Sequence, residues 1–142
     1  MKTKSWQRFF LLVLILSLAA PSYSADKGAP SPLKMIVYYF HATQRCATCL
    51  GIESLSKEVL QTRYGGQLKA GVIEWQVVDV EQPKNRHFIQ DYRLVTSSLV
   101  LVRFNNGKKG NWRTLEKTWN LFRKKNEFLQ YVQSNIDKLL EG

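Results

Sequence analysis

The residues best able to do chemistry lie in one short stretch, Cys46-Ala47-Thr48-Cys49, which holds both cysteines of a 142-residue chain. Two thiols three positions apart can act as a covalent staple, as part of a metal-ligand set or as a redox dithiol. A staple across so short a loop removes little chain entropy, because the benefit grows with loop length. As soft-metal ligands for copper or zinc the pair would need His41 or His87 beside it. A structural zinc centre usually takes four protein ligands, and neither histidine stands at a motif spacing from the cysteines. Haem attachment is excluded, since Leu50 follows Cys49 where histidine is required. The setting of the pair must choose among these readings.

The elements around the cysteines can be read from periodicity. Met35 to His41 is a continuous apolar and aromatic run, the pattern of a strand buried on both faces. The polar segment Ala42 to Arg45 leads from it into the cysteines. From Cys46 to about Arg63 the spacing is helical, with Ile52, Leu55 and Val59 on one face and Gly65-Gly66 as the stop signal. Val72 to Val80 has the β-branched character of a second strand. Pro83 suits the first turn of a short helix running to about Tyr92. Leu99 to Phe104 predicts a third strand, and Asn105-Asn106-Gly107 a hairpin turn into a fourth near Trp112 to Leu115. Leu129, Val132, Ile136, Leu139 and Leu140 fall on one stripe of a last helix. The predicted order is β-α-β-α-β-β-α, an α/β fold with a central mixed four-stranded sheet flanked by helices.

That order sets the cysteines at the end of the first strand and the start of the first helix. The unsatisfied N–H groups and partial positive charge of a helix N-terminus favour a thiolate over a thiol. Arg45 adds a positive charge beside Cys46 and is the expected pKa-tuning residue. Cys46 is then the nucleophile, and Cys49, one turn further in, the resolving thiol that releases a mixed disulfide.

The first 24 residues read as an export signal rather than as part of the fold. Lys2, Lys4 and Arg8 form a basic start, Phe9 to Ala20 carries no charge, and Ser22-Tyr23-Ser24 offers small residues for cleavage after Ser24. The apolar run is shorter than the roughly 20 residues of a membrane-spanning helix. The expected organisation is a signal peptide at 1–24, a linker rich in Ala, Pro, Ser and Gly at 25–32, and one domain at 33–142. Localisation would be periplasmic or extracellular. Three of the 21 bases and none of the 11 acids lie in the signal, which leaves the rest with a charge of +7. Between Arg103 and Lys125 eight bases stand against the single acid Glu116. This run reads first as a solvated face and second as a surface for an acidic partner or anionic lipid. Nucleic acid is not expected as a partner, since no recognition motif is present.

A strand, a Cys-x-x-Cys at a helix start and an α-β-β-α closure resemble the thioredoxin-like superfamily over about Leu33 to Leu140. More narrowly, Tyr38-Tyr39-Phe40-His41 followed by Arg45-Cys46-Ala47-Thr48-Cys49 is similar to the exported ArsF family, labelled a nitrophenyl compound nitroreductase subunit. The superfamily resemblance implies dithiol–disulfide exchange with a protein or small-molecule disulfide or dithiol, with a membrane electron donor as a further partner. It implies no cofactor, and the chain has no glycine-rich nucleotide fingerprint or flavin motif, so a nitroreductase role would be electron delivery to another subunit. It also aligns Thr96, Ser97 and Ser98 with the substrate groove. Three positions depart from the thioredoxin pattern: Arg45 replaces a tryptophan, Phe40 a buried carboxylate that assists proton transfer, and Ser98 a cis-proline. A cis bond before a residue other than proline is costly, so the 97–98 peptide is expected to be trans. Two other readings of the chain stay open. One is soft-metal binding by the same cysteines; the other is a non-catalytic interaction domain using Tyr38, Tyr39, Trp75, Trp112 and Trp119.

Overall fold

The computed structural model describes residues 34–141. The expected signal peptide and linker lie outside the described residues. The first strand, β1 (Lys34–His41), is followed by α1 (Ala47–Arg63), a short α2 (Gly65–Lys69) and β2 (Ile73–Asp79). One turn of 3-10 helix (Pro83–Asn85) and α3 (His87–Asp91) lead to the hairpin of β3 (Ser98–Asn105) and β4 (Lys108–Thr114). The described chain closes with α4 (Thr118–Leu121) and α5 (Lys125–Glu141).

The four strands form one mixed sheet in the order β2-β1-β3-β4. β1 runs parallel to β2 and antiparallel to β3, and β3 is antiparallel to β4. A parallel pair needs a crossover, which α1 and α2 supply between β1 and β2. This is the thioredoxin-like arrangement that the predicted order implies.

β1 sits inside the sheet and is buried on both faces, as its unbroken apolar run requires. Alternation sends Met35, Val37 and Tyr39 to one side, where they meet Ile52, Val59 and Leu60 of α1 and Phe128, Val132 and Ile136 of α5. Ile36, Tyr38 and Phe40 point to the other side, among Val78, Tyr92, Val100 and Val102, with Phe88 and Leu94 packed against them. Phe40 stacks on Tyr92 with ring centroids 5.4 Å apart.

Several boundaries differ from the sequence reading. Gly65-Gly66 does not end the helical stretch. α1 stops at Tyr64, whose hydroxyl donates to Asp137 Oδ1 (2.5 Å) and Gln133 O (3.2 Å) on α5, and the two glycines open α2. The expected helix from Pro83 to Tyr92 is split into the 3-10 turn and α3. α4 has no counterpart in the expected order, where its stretch contributes only basic charge and Trp119. The buried stripe of α5 starts at Phe128, one turn before Val132, and Phe128, Val132 and Ile136 are all fully buried, while Leu129, Leu139 and Leu140 lie at its margin.

The hairpin turn is as its residues demand: Asn106 (φ 49°) and Gly107 (φ 75°) both take positive φ. Beyond it the β3–β4 register shifts between Val102 and Phe104. Gly110 faces this irregularity, and a Cβ there would lie 3.2 Å from the Arg103 carbonyl oxygen.

Phe128→Ala should lower unfolding free energy by about 3–5 kcal/mol, because the void is walled by α1 and the sheet and cannot collapse; chemical denaturation followed by circular dichroism measures it. A second expectation concerns alkali. Burial, with Tyr92 and Glu74 nearby, pushes the Tyr38 hydroxyl from 10.0 to about 12. The unfolded chain then loses this proton before the folded one does. Stability from Tyr38 is present below pH 10 and declines as pH rises through about 12, by on the order of 2 kcal/mol. Tyr38→Phe should flatten that decline in urea melts taken across the range.

Candidate active site

The segment between β1 and α1 is tied down before it reaches the cysteines. Thr43 Oγ1 donates to Asp79 Oδ2 (2.8 Å), and the Thr43 N–H donates to Glu81 Oε2 (2.9 Å). The Glu81 N–H in turn donates to Asp79 Oδ1 (3.0 Å). The Thr43 hydroxyl is the main cause holding the Asp79 carboxyl below its usual range. The loop is thereby fixed to the end of β2, the strand beside β1.

Cys46 is the N-cap of α1, with extended backbone (φ −86°, ψ 162°), and its Sγ accepts the backbone N–H of Cys49 at 3.1 Å. Ser, Thr or Asp oxygens usually fill that position, and here sulfur does so. Cys46 and Cys49 are joined as a disulfide. Cys46 is exposed, whereas Cys49 is buried at 7% exposure on the inner side of the helix. The first turn of α1 carries no acidic residue to oppose the helix N-terminus.

Behind Cys49 lies a polar group of side chains. The hydroxyl of Tyr39, itself fully buried, donates to the Cys49 carbonyl at 2.7 Å. Ser97 Oγ stands 3.9 Å from Cys49 Sγ, and Trp119 Nε1 donates to the Ser97 carbonyl at 2.9 Å. Arg45 Nη2 pairs with Glu53, while its guanidinium carbon lies 5.7 Å from the centre of the Tyr39 ring. The Arg45 charge is thus offset by Glu53, and its buried Nε has no hydrogen-bond partner. Burial raises the Tyr39 pKa, and Arg45 and Ser97 pull part of that rise back.

Of the residues expected in a groove, Thr96 is exposed and Ser97 half-buried beside Cys49. Ser98 is buried, and its hydroxyl donates to the Thr96 carbonyl at 2.8 Å. No cis peptide occurs among the described residues, so the 97–98 bond is trans. Val95, at 96% exposure, projects between two depressions. One is lined by His41, Val80 and Ile89, the other by Arg93, Leu115 and Trp119.

Sequence reasoning missed Tyr39, Glu53 and Trp119 as site residues. Strand alternation would have set Tyr39 on the α1 side, and Glu53 stands four residues after Cys49 on one helix face. No local signal marks Trp119. The aromatic binding surface is not formed: Tyr38 and Tyr39 are buried on opposite faces of the sheet, Trp75 and Trp119 pack against the core, and Trp112 is 38% exposed. The basic run is divided as well. Lys109 lies over Tyr92 (4.0 Å), Arg113 bonds Asn135 on α5, and Lys125 pairs with Glu58. Lys109 and Arg113 stand four residues apart yet on opposite sides of the sheet, because the register shift between Val102 and Phe104 adds one residue to β4 between them and reverses its alternation. Among the described residues no group of three or more His, Cys, Asp and Glu could hold a metal ion. His41 Nδ1 lies 2.9 Å from the Ala42 carbonyl, and His87 Nδ1 3.0 Å from that of Lys84.

No family model and no curated protein matches the chain, so the narrower ArsF resemblance finds no counterpart there. Solved structures do match. Fasciola hepatica thioredoxin is 19% identical, with 69% of this chain and 81% of that one covered at a TM-score of 0.39. Oxidised Arabidopsis thaliana thioredoxin O2 is 20% identical, covering 68% and 76% at 0.40. Reduced Schistosoma mansoni thioredoxin is 24% identical, covering 66% and 81% at 0.38. At superpositions this loose the fold rests on the strand order and connections described above: the chain has a thioredoxin-like sheet with its cysteine pair at the first helix.

Proposed function

We propose that this protein is an exported thiol–disulfide oxidoreductase in which Cys46 is the nucleophile and Cys49 the resolving thiol. The observation that carries this reading is the asymmetry of the pair. Cys46 is exposed and capped by a helix N–H, while Cys49 is buried one turn further in. A substrate sulfur can reach the first and not the second.

In the reduced protein the Cys46 thiolate attacks one sulfur of a substrate disulfide. The substrate S–S bond breaks, a mixed disulfide to Cys46 forms, and the departing thiolate takes a proton from solvent. Cys49 then loses its proton to solvent and its thiolate attacks Cys46 Sγ, breaking the mixed disulfide and releasing the second substrate thiolate, which solvent protonates. Two electrons pass to the substrate, and the Cys46–Cys49 disulfide present in the structure is regenerated. The reverse sequence oxidises a substrate dithiol. At the first step the cap N–H and the helix N-terminus stabilise Cys46 as thiolate. The partner is a protein or small molecule presenting a disulfide or dithiol, met outside the cytoplasm after cleavage near Ser24.

Equilibration with glutathione buffers and thiol trapping test the reading. The pair should exchange with glutathione. Cys46→Ser should abolish exchange, and Cys49→Ser should accumulate a mixed disulfide visible by mass spectrometry. An ordinary Cys46 thiol pKa together with no exchange would defeat the proposal. Stoichiometric copper or zinc lost on Cys46→Ser would favour the metal-binding alternative instead. The Arg45–Glu53 pair gives a finer expectation. Arg45→Ala should raise the Cys46 pKa and Glu53→Gln, by unmasking the guanidinium, should lower it, each by roughly half a unit. The pH dependence of alkylation of the reduced protein reads both.

A further inference from the structure

A resolving cysteine at 7% exposure has a difficulty that its exposed partner lacks: burial disfavours its thiolate. Position 40, where the resemblance would put a proton-handling carboxylate, holds Phe40, packed with Phe88 and Tyr92 on the far face of the sheet. It has no group that could serve Cys49. Among the described residues, the side chain that does reach Cys49 Sγ is Ser97, through its hydroxyl at 3.9 Å.

We propose that Trp119 is a positioning residue that holds the Ser97 hydroxyl against Cys49 Sγ, where the hydroxyl donates a hydrogen bond to the thiolate during the resolving step. This rests on the exchange reaction proposed above. The hold on Ser97 is specific. Trp119 Nε1 donates to the Ser97 carbonyl at 2.9 Å, and Ser98 Oγ closes on the Thr96 carbonyl at 2.8 Å. Together they constrain a segment that has no proline ring to stiffen it.

Trp119 is itself anchored. The residue before it, Thr118, is 1% exposed, with Oγ1 donating to the Leu115 carbonyl at 2.7 Å. The Leu115 N–H is bonded to Leu99 O of β3 at 2.8 Å. The chain of contacts from β3 through Leu115 and α4 back to Ser97 is short and closed. A long contact to a neutral disulfide sulfur is weak, but the same donor facing a thiolate makes a charge-assisted hydrogen bond, roughly twice as strong as a neutral one. When Cys49 attacks Cys46 Sγ its negative charge passes to the leaving substrate sulfur, and the Ser97 hydroxyl keeps its own proton throughout.

The test uses the full chain carrying Cys46→Ser, so that Cys49 is its one thiol, and follows thiolate absorbance in the ultraviolet against pH. Ser97→Ala should reduce the thiolate fraction at neutral pH by about tenfold, the effect of losing a hydrogen bond to a charged group. Trp119→Phe, which keeps an aromatic ring and removes the indole donor, should shift the titration in the same direction. The double variant should shift no further than Ser97→Ala alone, and Ser97→Thr should restore the profile. An unmoved titration in Ser97→Ala, or additive shifts, overturns the proposal. If Trp119→Phe does not fold by circular dichroism, the Ala and Thr variants at Ser97 decide it. Glutathione exchange by the unaltered chain separates the two hypotheses: exchange with an unmoved titration refutes only the Ser97 role, and a moved titration without exchange refutes the oxidoreductase and its resolving step while the Ser97–thiolate contact stands.

Discussion

Burial of β1 on both faces is the constraint on which the rest of the molecule depends. A strand in that position must be apolar on both sides and must have every backbone group paired, and β1 meets both needs between β2 and β3. Because it is parallel to β2, the chain has to leave its end, cross one face as α1 and return. The cysteines stand at the exit from that strand. Their place at a helix start is therefore a by-product of sheet topology, and the chemistry of an N-terminal thiolate comes with it.

The same strand also furnishes the floor of the site. Alternation gives Tyr39 to the α1 side, where its ring packs in the core and its hydroxyl reaches the Cys49 carbonyl. A buried tyrosine hydroxyl is expensive unless paired, and pairing it to the helix fixes the depth at which α1 sits. Arg45 and Glu53 close over this contact from outside. Around Cys49, then, packing and polar satisfaction are met by the same few side chains, and Ser97, just before β3, and Trp119 of α4 complete the set.

The periphery is less constrained. The β3–β4 hairpin carries its irregularity next to Gly110, and β4 is an edge strand with mostly exposed side chains. Lys109 and Arg113 lie on opposite sides of the sheet. Charges on an edge strand also discourage pairing with another chain, a sufficient reason for Lys108, Lys109 and Arg113 to be there.

Most of the fold was legible in the sequence because its signals are local. The unbroken run Met35 to His41, the Asn-Asn-Gly turn and the stripe through Val132 and Ile136 each depend on neighbours within one element, where periodicity and allowed φ angles suffice. The Cys-x-x-Cys spacing and its position before a helical pattern were local in the same way, so the pair and its N-terminal setting could be read directly. What surrounds the pair could not. The exposure difference between Cys46 and Cys49 depends on which face of α1 the sheet covers. The pairing of Arg45 with Glu53 depends on how the loop enters the helix. Trp119 reaches Ser97 across 22 residues, through a hydrogen bond that no spacing rule encodes. Sequence alone determined which atoms could react; tertiary structure decided which sulfur faces solvent and which hydroxyl faces the other, because contacts between elements are set by packing rather than by distance along the chain.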